Sequence, residues 1–316
     1  MTVLTIHIGA HKTGTTALQR ALDGNAAAIQ AQGVLYPDVC RFHHAQHRLA
    51  FALKGMADPV RGDRPDLAAE AGALTAALDA TDLPKVLVSS EEFFSAPPER
   101  IAALRAVLDG RAVRLVATVR RPDAMFLSIW NQKAKQPGNG FARMASSFLD
   151  DPRSLDPDLD FRSCLQAWTD AFGPEALTLL RHEEGPPVAQ MLGALGCPPD
   201  AVAVPGPANA SLSGAAVEAM RLAKAVGLST EAQRNLLTLT QEVFADHPPF
   251  HLAAAERRRI VAAFEPGNDA LFAAMGVENP YRVETLDFPD VPAGPGPNIR
   301  LRDLMMLLGE VLDFAA

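Results

Sequence analysis

Five short, almost wholly apolar runs alternate with helical patterns over the first two thirds of this chain, and that alternation most narrows the folds open to it. The runs are VLTIHIG (3–9), GVLYP (33–37), KVLVSSE (85–91), VRLVATVR (113–120) and ALTLLRHE (176–183). Strands apolar on both sides belong in a sheet covered on both faces, which is the habit of parallel sheets. Helix-spaced patterns fall between them at about 15–30, 66–80, 98–109, 122–136, 161–172 and 187–195, several opened by Pro, Asp or Ser. The expectation is a three-layer α/β fold with a mostly parallel central sheet.

The later chain reads differently. From 211 to 275 the pattern is helical (SGAAVEAMRLAKAV, TEAQRNLLTLTQEVF, AAAERRRIVAAF), expected as a helical layer on the same core, with a subdomain as the alternative. Residues 1–285 are therefore taken as one α/β domain and 286–298, rich in Pro and Gly, as a linker. Residues 299–316 carry apolar positions at helix spacing. Such a stripe needs a partner, either its own chain or a second copy in a homo-oligomer.

Charge and cysteine content exclude several classes. With a formal net charge of -8 over 316 residues, the chain has no basic field for nucleic acid or an anionic membrane, so any anion site must be a local cluster of donors. Cys40, Cys164 and Cys197 are widely spaced, which argues against a disulfide framework or zinc knuckle and favours a reducing cytoplasm. The chain opens without a basic, then apolar leader and has no long apolar run, so secretion and membrane spanning are not expected.

The first apolar run leads into IHIGAHKTGTTALQRAL (6–22), a strand, a glycine-flanked turn and a helix. Gly9 and Gly14 permit backbone conformations that gather N–H groups around an oxyanion. Thr13, Thr15 and Thr16 add hydroxyls where the helix begins, and Lys12 adds charge. A nucleoside-triphosphatase loop would place its lysine just after the second glycine, whereas Lys12 precedes Gly14 by two residues. The third strand also ends Ser-Ser-Glu, without the Asp that would hold magnesium.

The order H-K-T-G-T-T-x-L after a first strand resembles the 5′-phosphosulfate loop of sulfotransferases that use 3′-phosphoadenosine 5′-phosphosulfate (PAPS). The resemblance implies a P-loop-type fold, PAPS as cofactor with no metal required, and His11, Lys12, Thr13, Gly14, Thr15 and Thr16 around the 5′ end, Lys12 being catalytic. A second segment, VRLVATVRRPDAMFLS (113–128), is similar to the family's 3′-phosphate motif, with Arg120 at the strand end, Pro122 in its usual place and Ser128 eight positions beyond Arg120. Pro122 can open a helix, Ser128 lies about two turns on, and an arginine can fork onto a phosphate. Arg121 is the alternative ligand.

The resemblance weakens elsewhere. SSEEFF (89–94) stands where members of the family often place an acidic residue, and the chain lacks their Lys-x-x-His stretch, so Glu91 or Glu92 is the candidate base. Asn209 and Ser211, in NASLS, are candidates for the loop that closes over the nucleotide, or a plain helix N-cap. No clear Arg-Lys-Gly nucleotide loop is present.

Other clusters carry less. HHAQHR (43–48) puts His43 and His47 one helical turn apart, but without the Glu of a zincin or a third ligand. His43, His44 and His47 are open to two readings, an acceptor mouth beside the second strand or a solvated helix face. Lys133 and Lys135, followed by PGNG, would border an acceptor lid, and ERRR (256–259) reads as a solvated face. The function implied is transfer of a sulfuryl group from PAPS to a hydroxyl of a small molecule or glycan. A small-molecule kinase and a non-catalytic nucleotide-binding or assembly protein are the alternatives.

Overall fold

The computed structural model describes residues 2–203 and 212–291. Asn209, Ser211, the end of the Pro/Gly segment from 292 and the C-terminal stretch 299–316 lie outside the described residues. Along the chain run β1 (Val3–Gly9), α1 (Thr15–Gly24), α2 (Ala26–Ala31), β2 (Val34–Leu35), α3 (His47–Lys54), α4 (Leu67–Asp79), β3 (Lys85–Ser90), α5 (Pro98–Val107), β4 (Ala112–Val119) and α6 (Pro122–Lys135). Then follow α7 (Phe161–Phe172), β5 (Leu177–Arg181), α8 (Pro187–Ala194), α9 (Gly214–Ala225), α10 (Thr230–Val243) and α11 (Ala254–Ala274).

The described residues divide into two compact units, the first comprising 2–121, 160–203 and 266–279 and the second 122–159, 212–265 and 280–291.

The first unit is an α/β layer structure. Its five strands pair in the order β2-β3-β1-β4-β5, every pair parallel. Strand alternation sorts the two faces. Leu87 and Val116 join a buried cluster with Leu18 and Leu22 of α1 and Val188 and Met191 of α8. In register with them stand Thr5 and His7, so these polar residues also face α1. Leu4, Ile6 and Ile8 point the other way and are fully buried. On that side α3, α4, α5 and α7 pack on one another, and Trp168 donates its indole N–H to the Phe93 carbonyl at 3.2 Å.

This order has a consequence for ligand binding. From β1 the chain crosses to β2 on one side, and from β3 it crosses to β4 on the other. Right-handed crossovers in opposite directions lie on opposite faces, so the connections leaving β1 and β3 diverge at their C-terminal ends. Between diverging connections a parallel sheet opens a crevice.

Three local expectations are corrected. The single helix expected over 15–30 is broken at Asn25, whose side-chain amide donates to the Ala21 carbonyl at 2.8 Å and ends α1. His43 and His47 do not share a helix: α3 begins at His47, while His43 sits in the preceding loop with φ 54. Nor is 256–259 simply a solvated face, because Arg257 Nε donates at 2.8 Å to the buried carboxylate of Asp123 and Arg258 lies over the Phe288 ring.

The second unit is helical in its described residues, apart from short turns. Its core includes Ala216 and Met220 of α9, Leu236 of α10 and Phe244, which caps the end of α10. Lys224 Nζ donates to the carbonyls of Lys133 and Ala134 at 2.8 and 2.6 Å, closing the C-terminal end of α6, where orphan carbonyls need partners.

Candidate active site

The turn between β1 and α1 occupies the crevice edge. Lys12 (φ 66) and Gly14 (φ 88) both take left-handed backbone conformations. Gly14 is the N-cap of α1, which starts with no side-chain cap and no acidic residue in its first turn. The first amides of the helix therefore look into the turn, with the positive end of the helix dipole behind them.

Two close approaches explain the glycines. A Cβ on Gly9 would come within 2.2 Å of Thr15 Cγ2, and one on Gly14 within 2.5 Å of Pro187 Cγ. The turn is thus pressed against α1 on one side and the start of α8 on the other. Thr13 Oγ1 donates to the Ala10 carbonyl at 2.7 Å, closing the turn with a proton the sequence had suggested for an anion. Thr15 is buried and Thr16 exposed.

Groups from β4 and β5 clasp the same turn. Arg120 Nη1 donates to the Lys12 carbonyl at 2.8 Å. His182 Nδ1 stands 3.2 Å from the Thr13 carbonyl, and since a carbonyl only accepts, the proton is on Nδ1. Burial, helped by the Arg120 charge, lowers the His182 pKa. The Arg121 amide donates to Glu183 at 2.8 Å.

The end of β3 carries the acidic pair. Ser90 caps a short 3-10 turn, Glu91–Phe93, by accepting from the Glu92 amide at 3.1 Å. Its hydroxyl lies 2.7 Å from His47 Nδ1. On the other side of the ring, His47 Nε2 faces Glu91 Oε2 at 4.0 Å. Burial lowers the His47 pKa against the opposing pull of Glu91 and Glu92.

The two carboxylates are held differently. Glu91 Oε2 accepts from Gln19 Nε2 at 2.7 Å. Glu92 Oε2 accepts from Lys54 Nζ at 2.9 Å, and His11 Nε2 stands 3.6 Å from Glu92 Oε1. Burial alone would raise the Glu92 pKa, but the Lys54 ammonium, with smaller contributions from His11 and His47, outweighs it and holds the carboxyl below its ordinary range.

Within the first unit, His43 and His44 do not join this group. His44 Nδ1 lies 2.6 Å from Asp23 Oδ2, and that bond, together with Arg41, holds the Asp23 carboxyl below its usual range. His43 is exposed and packs edge-on against Phe42. Ser128 and Lys133 lie on α6, in the second unit. There Lys133 Nζ pairs with Asp156 at 2.9 Å, and the PGNG segment is tied by Gly138 N to Gln233 and by Asn139 to the Lys133 carbonyl.

Among the described residues, no three His, Cys, Asp or Glu side chains gather as a metal cluster, and no helix is long and apolar enough to cross a membrane.

No protein-family model matches the chain, and no curated protein matches it. Among solved structures a likeness is found. The chain is similar to a sulfotransferase from Alicyclobacillus acidocaldarius, seen in a crystal structure. Identity is 14%, the alignment covers 87% of this chain and 96% of that one, and the TM-score is 0.49.

Four residues of the site escaped the sequence reading: His7, Gln19, Lys54 and His182. His182 had a signal, since it directly follows β5 at the ligand edge of a parallel sheet. Gln19 and Lys54 had none, because each acquires its role only when a helix packs beside the end of β3.

Proposed function

We propose that this chain transfers a sulfuryl group from PAPS to an acceptor hydroxyl of a small molecule or glycan. The observation that carries the reading is the turn from Gly9 to Thr15, whose left-handed Lys12 is fastened by Arg120 while the uncapped start of α1 faces the crevice. The donor set suits a phosphate-bearing nucleotide: backbone amides without a competing carboxylate in the first helical turn, a lysine, and an arginine at the adjacent strand end.

Bound there, PAPS would supply an electrophilic sulfur and, in its 3′,5′-bisphosphate, a leaving group. Lys12 and the turn amides neutralise the charge that grows on the bridging and 5′-phosphate oxygens. Arg120 is assigned to the 3′-phosphate. Glu91 accepts the acceptor's hydroxyl proton, since its Oε2 is already satisfied by neutral Gln19 and its other oxygen remains for the substrate. Glu92, ion-paired to Lys54 with a lowered proton affinity, shapes the mouth instead.

The test is transfer of radiolabelled sulfate from PAPS to a panel of sugars, phenols, lipids and peptides, without magnesium. Labelled product that disappears in Lys12→Ala supports the reading. Absence of transfer to every acceptor, together with ATP- and magnesium-dependent phosphorylation of any of them, would replace it with a kinase.

A further inference from the structure

A buried polar chain runs under the turn from β1 to Glu91. His7 Nδ1 is 2.8 Å from Ser89 Oγ, Ser89 Oγ is 3.4 Å from Gln19 Nε2, and Gln19 Nε2 is 2.7 Å from Glu91 Oε2. His7, Ser89 and Gln19 are buried, whereas Glu91 keeps a partly exposed side chain. Parallel register places His7 directly beside Ser89, and both face α1, which brings Gln19.

The donors and acceptors run in one direction. A carboxylate only accepts, so the Gln19 NH2 group, not its carbonyl oxygen, points at Glu91. The second proton of that NH2 group is then directed at Ser89 Oγ. Ser89 Oγ can accept from Gln19 and still donate its own proton, and with His7 Nδ1 at 2.8 Å the direction that continues the chain is Ser89 O–H to a bare Nδ1, with His7 as the neutral Nε2–H tautomer.

We infer that His7, Ser89 and Gln19 form a positioning relay, with Ser89 donating to His7 Nδ1, that fixes which end of the Gln19 amide meets Glu91 and so aims this carboxylate at the crevice. The inference rests on the reading of Glu91 as proton acceptor. Burial supports it independently by lowering the His7 pKa to about 4, so that the ring stays neutral over the working range. The arrangement has a cost, because His7 Nε2 is buried without a hydrogen-bond partner. The ring is accommodated beneath Gly9, where a Cβ would stand 3.1 Å from its Cε1.

Other titratable groups also face Glu91: His47 from α3, Tyr36 after β2, and Glu92 with its Lys54 partner and His11 beyond. Gln19 is distinguished from these by being neutral and by reaching Glu91 Oε2 through a hydrogen bond of 2.7 Å.

The experiment compares sulfate transfer by the full chain and by Gln19→Leu. In Gln19→Leu kcat should fall about tenfold with acceptor KM nearly unchanged, as the carboxylate loses its aim rather than the substrate its contacts. An unchanged kcat in the folded variant overturns the relay. Nitrogen-detected NMR of His7 in the unaltered protein gives a second readout if Gln19→Leu does not fold: a neutral Nε2–H ring from pH 8 to about pH 5 supports the relay, and a proton on Nδ1 overturns it. Full sulfate transfer by Glu91→Gln would remove the base assignment while leaving the His7 NMR result standing, so the two failures are separable.

Discussion

Arg120, at the end of β4, donates its Nη1 hydrogen to the backbone carbonyl of Lys12 at 2.8 Å. The contact joins the two segments that looked like phosphate motifs. Lys12 adopts a left-handed conformation that costs a non-glycine residue about 1–2 kcal/mol, so it persists only where neighbours hold it. Arg120 is one such neighbour, and His182, on the next carbonyl, is another.

If the Lys12 charge acts on oxygens that gain charge during transfer, its loss should harm turnover more than nucleotide binding. Lys12→Ala is expected to lower kcat by about a hundredfold or more, the scale for one preorganised donor. Steady-state kinetics with PAPS and circular dichroism on the same preparation check this. Near-normal kcat in a folded variant would remove the catalytic role.

The acidic pair should divide unequally. Glu91→Gln is expected to cut the transfer rate by about 10²–10⁴ with affinity for 3′-phosphoadenosine 5′-phosphate nearly unchanged. Glu92→Gln, which loses the Lys54 partner, should alter acceptor KM more than kcat. A reversed pattern would exchange the roles, and His43, His44 and His47 are the next bases to test if neither variant loses activity.

Packing of the turn against α8 gives a stability test that needs no substrate. Gly14→Ala forces a left-handed Ala and drives its Cβ toward Pro187 Cγ, 2.5 Å from the ideal position. A loss of about 2 kcal/mol or more is expected in urea unfolding. Adding Pro187→Ala removes the colliding atom and should recover about 1 kcal/mol. Simple additivity of the two changes would mean that the overlap is relieved in some other way.

Stability should fall on mild acidification. Burial holds the folded His7 pKa near 4, against an ordinary value of 6.5, so between these values the unfolded chain binds a proton that the folded chain refuses. Stability from this source is complete above pH 6.5 and is lost as pH falls toward 4, by about 3 kcal/mol in all. The lowered pKa values of His47 and His182 act in the same direction. Urea unfolding at pH 5 and 7.5 should show the drop, and His7→Phe should reduce it; an equal drop in that variant would assign the effect elsewhere.

The sheet was legible because its strands are apolar on both faces and carry few competing signals. All five expected strands are present, although β2 shrinks to Val34–Leu35. The turn was legible because glycine, lysine and threonine fall in a local order. What is non-local was not. The segment HRLAFALK was hidden behind its histidines, yet Leu49, Ala50, Phe51, Ala52 and Leu53 are all buried in α3. His7 read as one more residue of an apolar strand, and Gln19 as an ordinary helix position; both acquire meaning only through Ser89, some seventy residues beyond Gln19. The break at Asn25 turns on a single side-chain amide reaching Ala21, which periodicity does not register.

The central claim is that the turn and Arg120 together hold a 3′,5′-bisphosphate nucleotide. Isothermal titration of 3′-phosphoadenosine 5′-phosphate and of 5′-AMP, both without magnesium, tests it without an acceptor. The bisphosphate should bind at least about tenfold more tightly, a difference of about 1.4 kcal/mol, and Arg120→Ala should bring it down to the level of 5′-AMP. Equal affinity for the two nucleotides, or a preference for the bisphosphate that survives in folded Arg120→Ala, would contradict it.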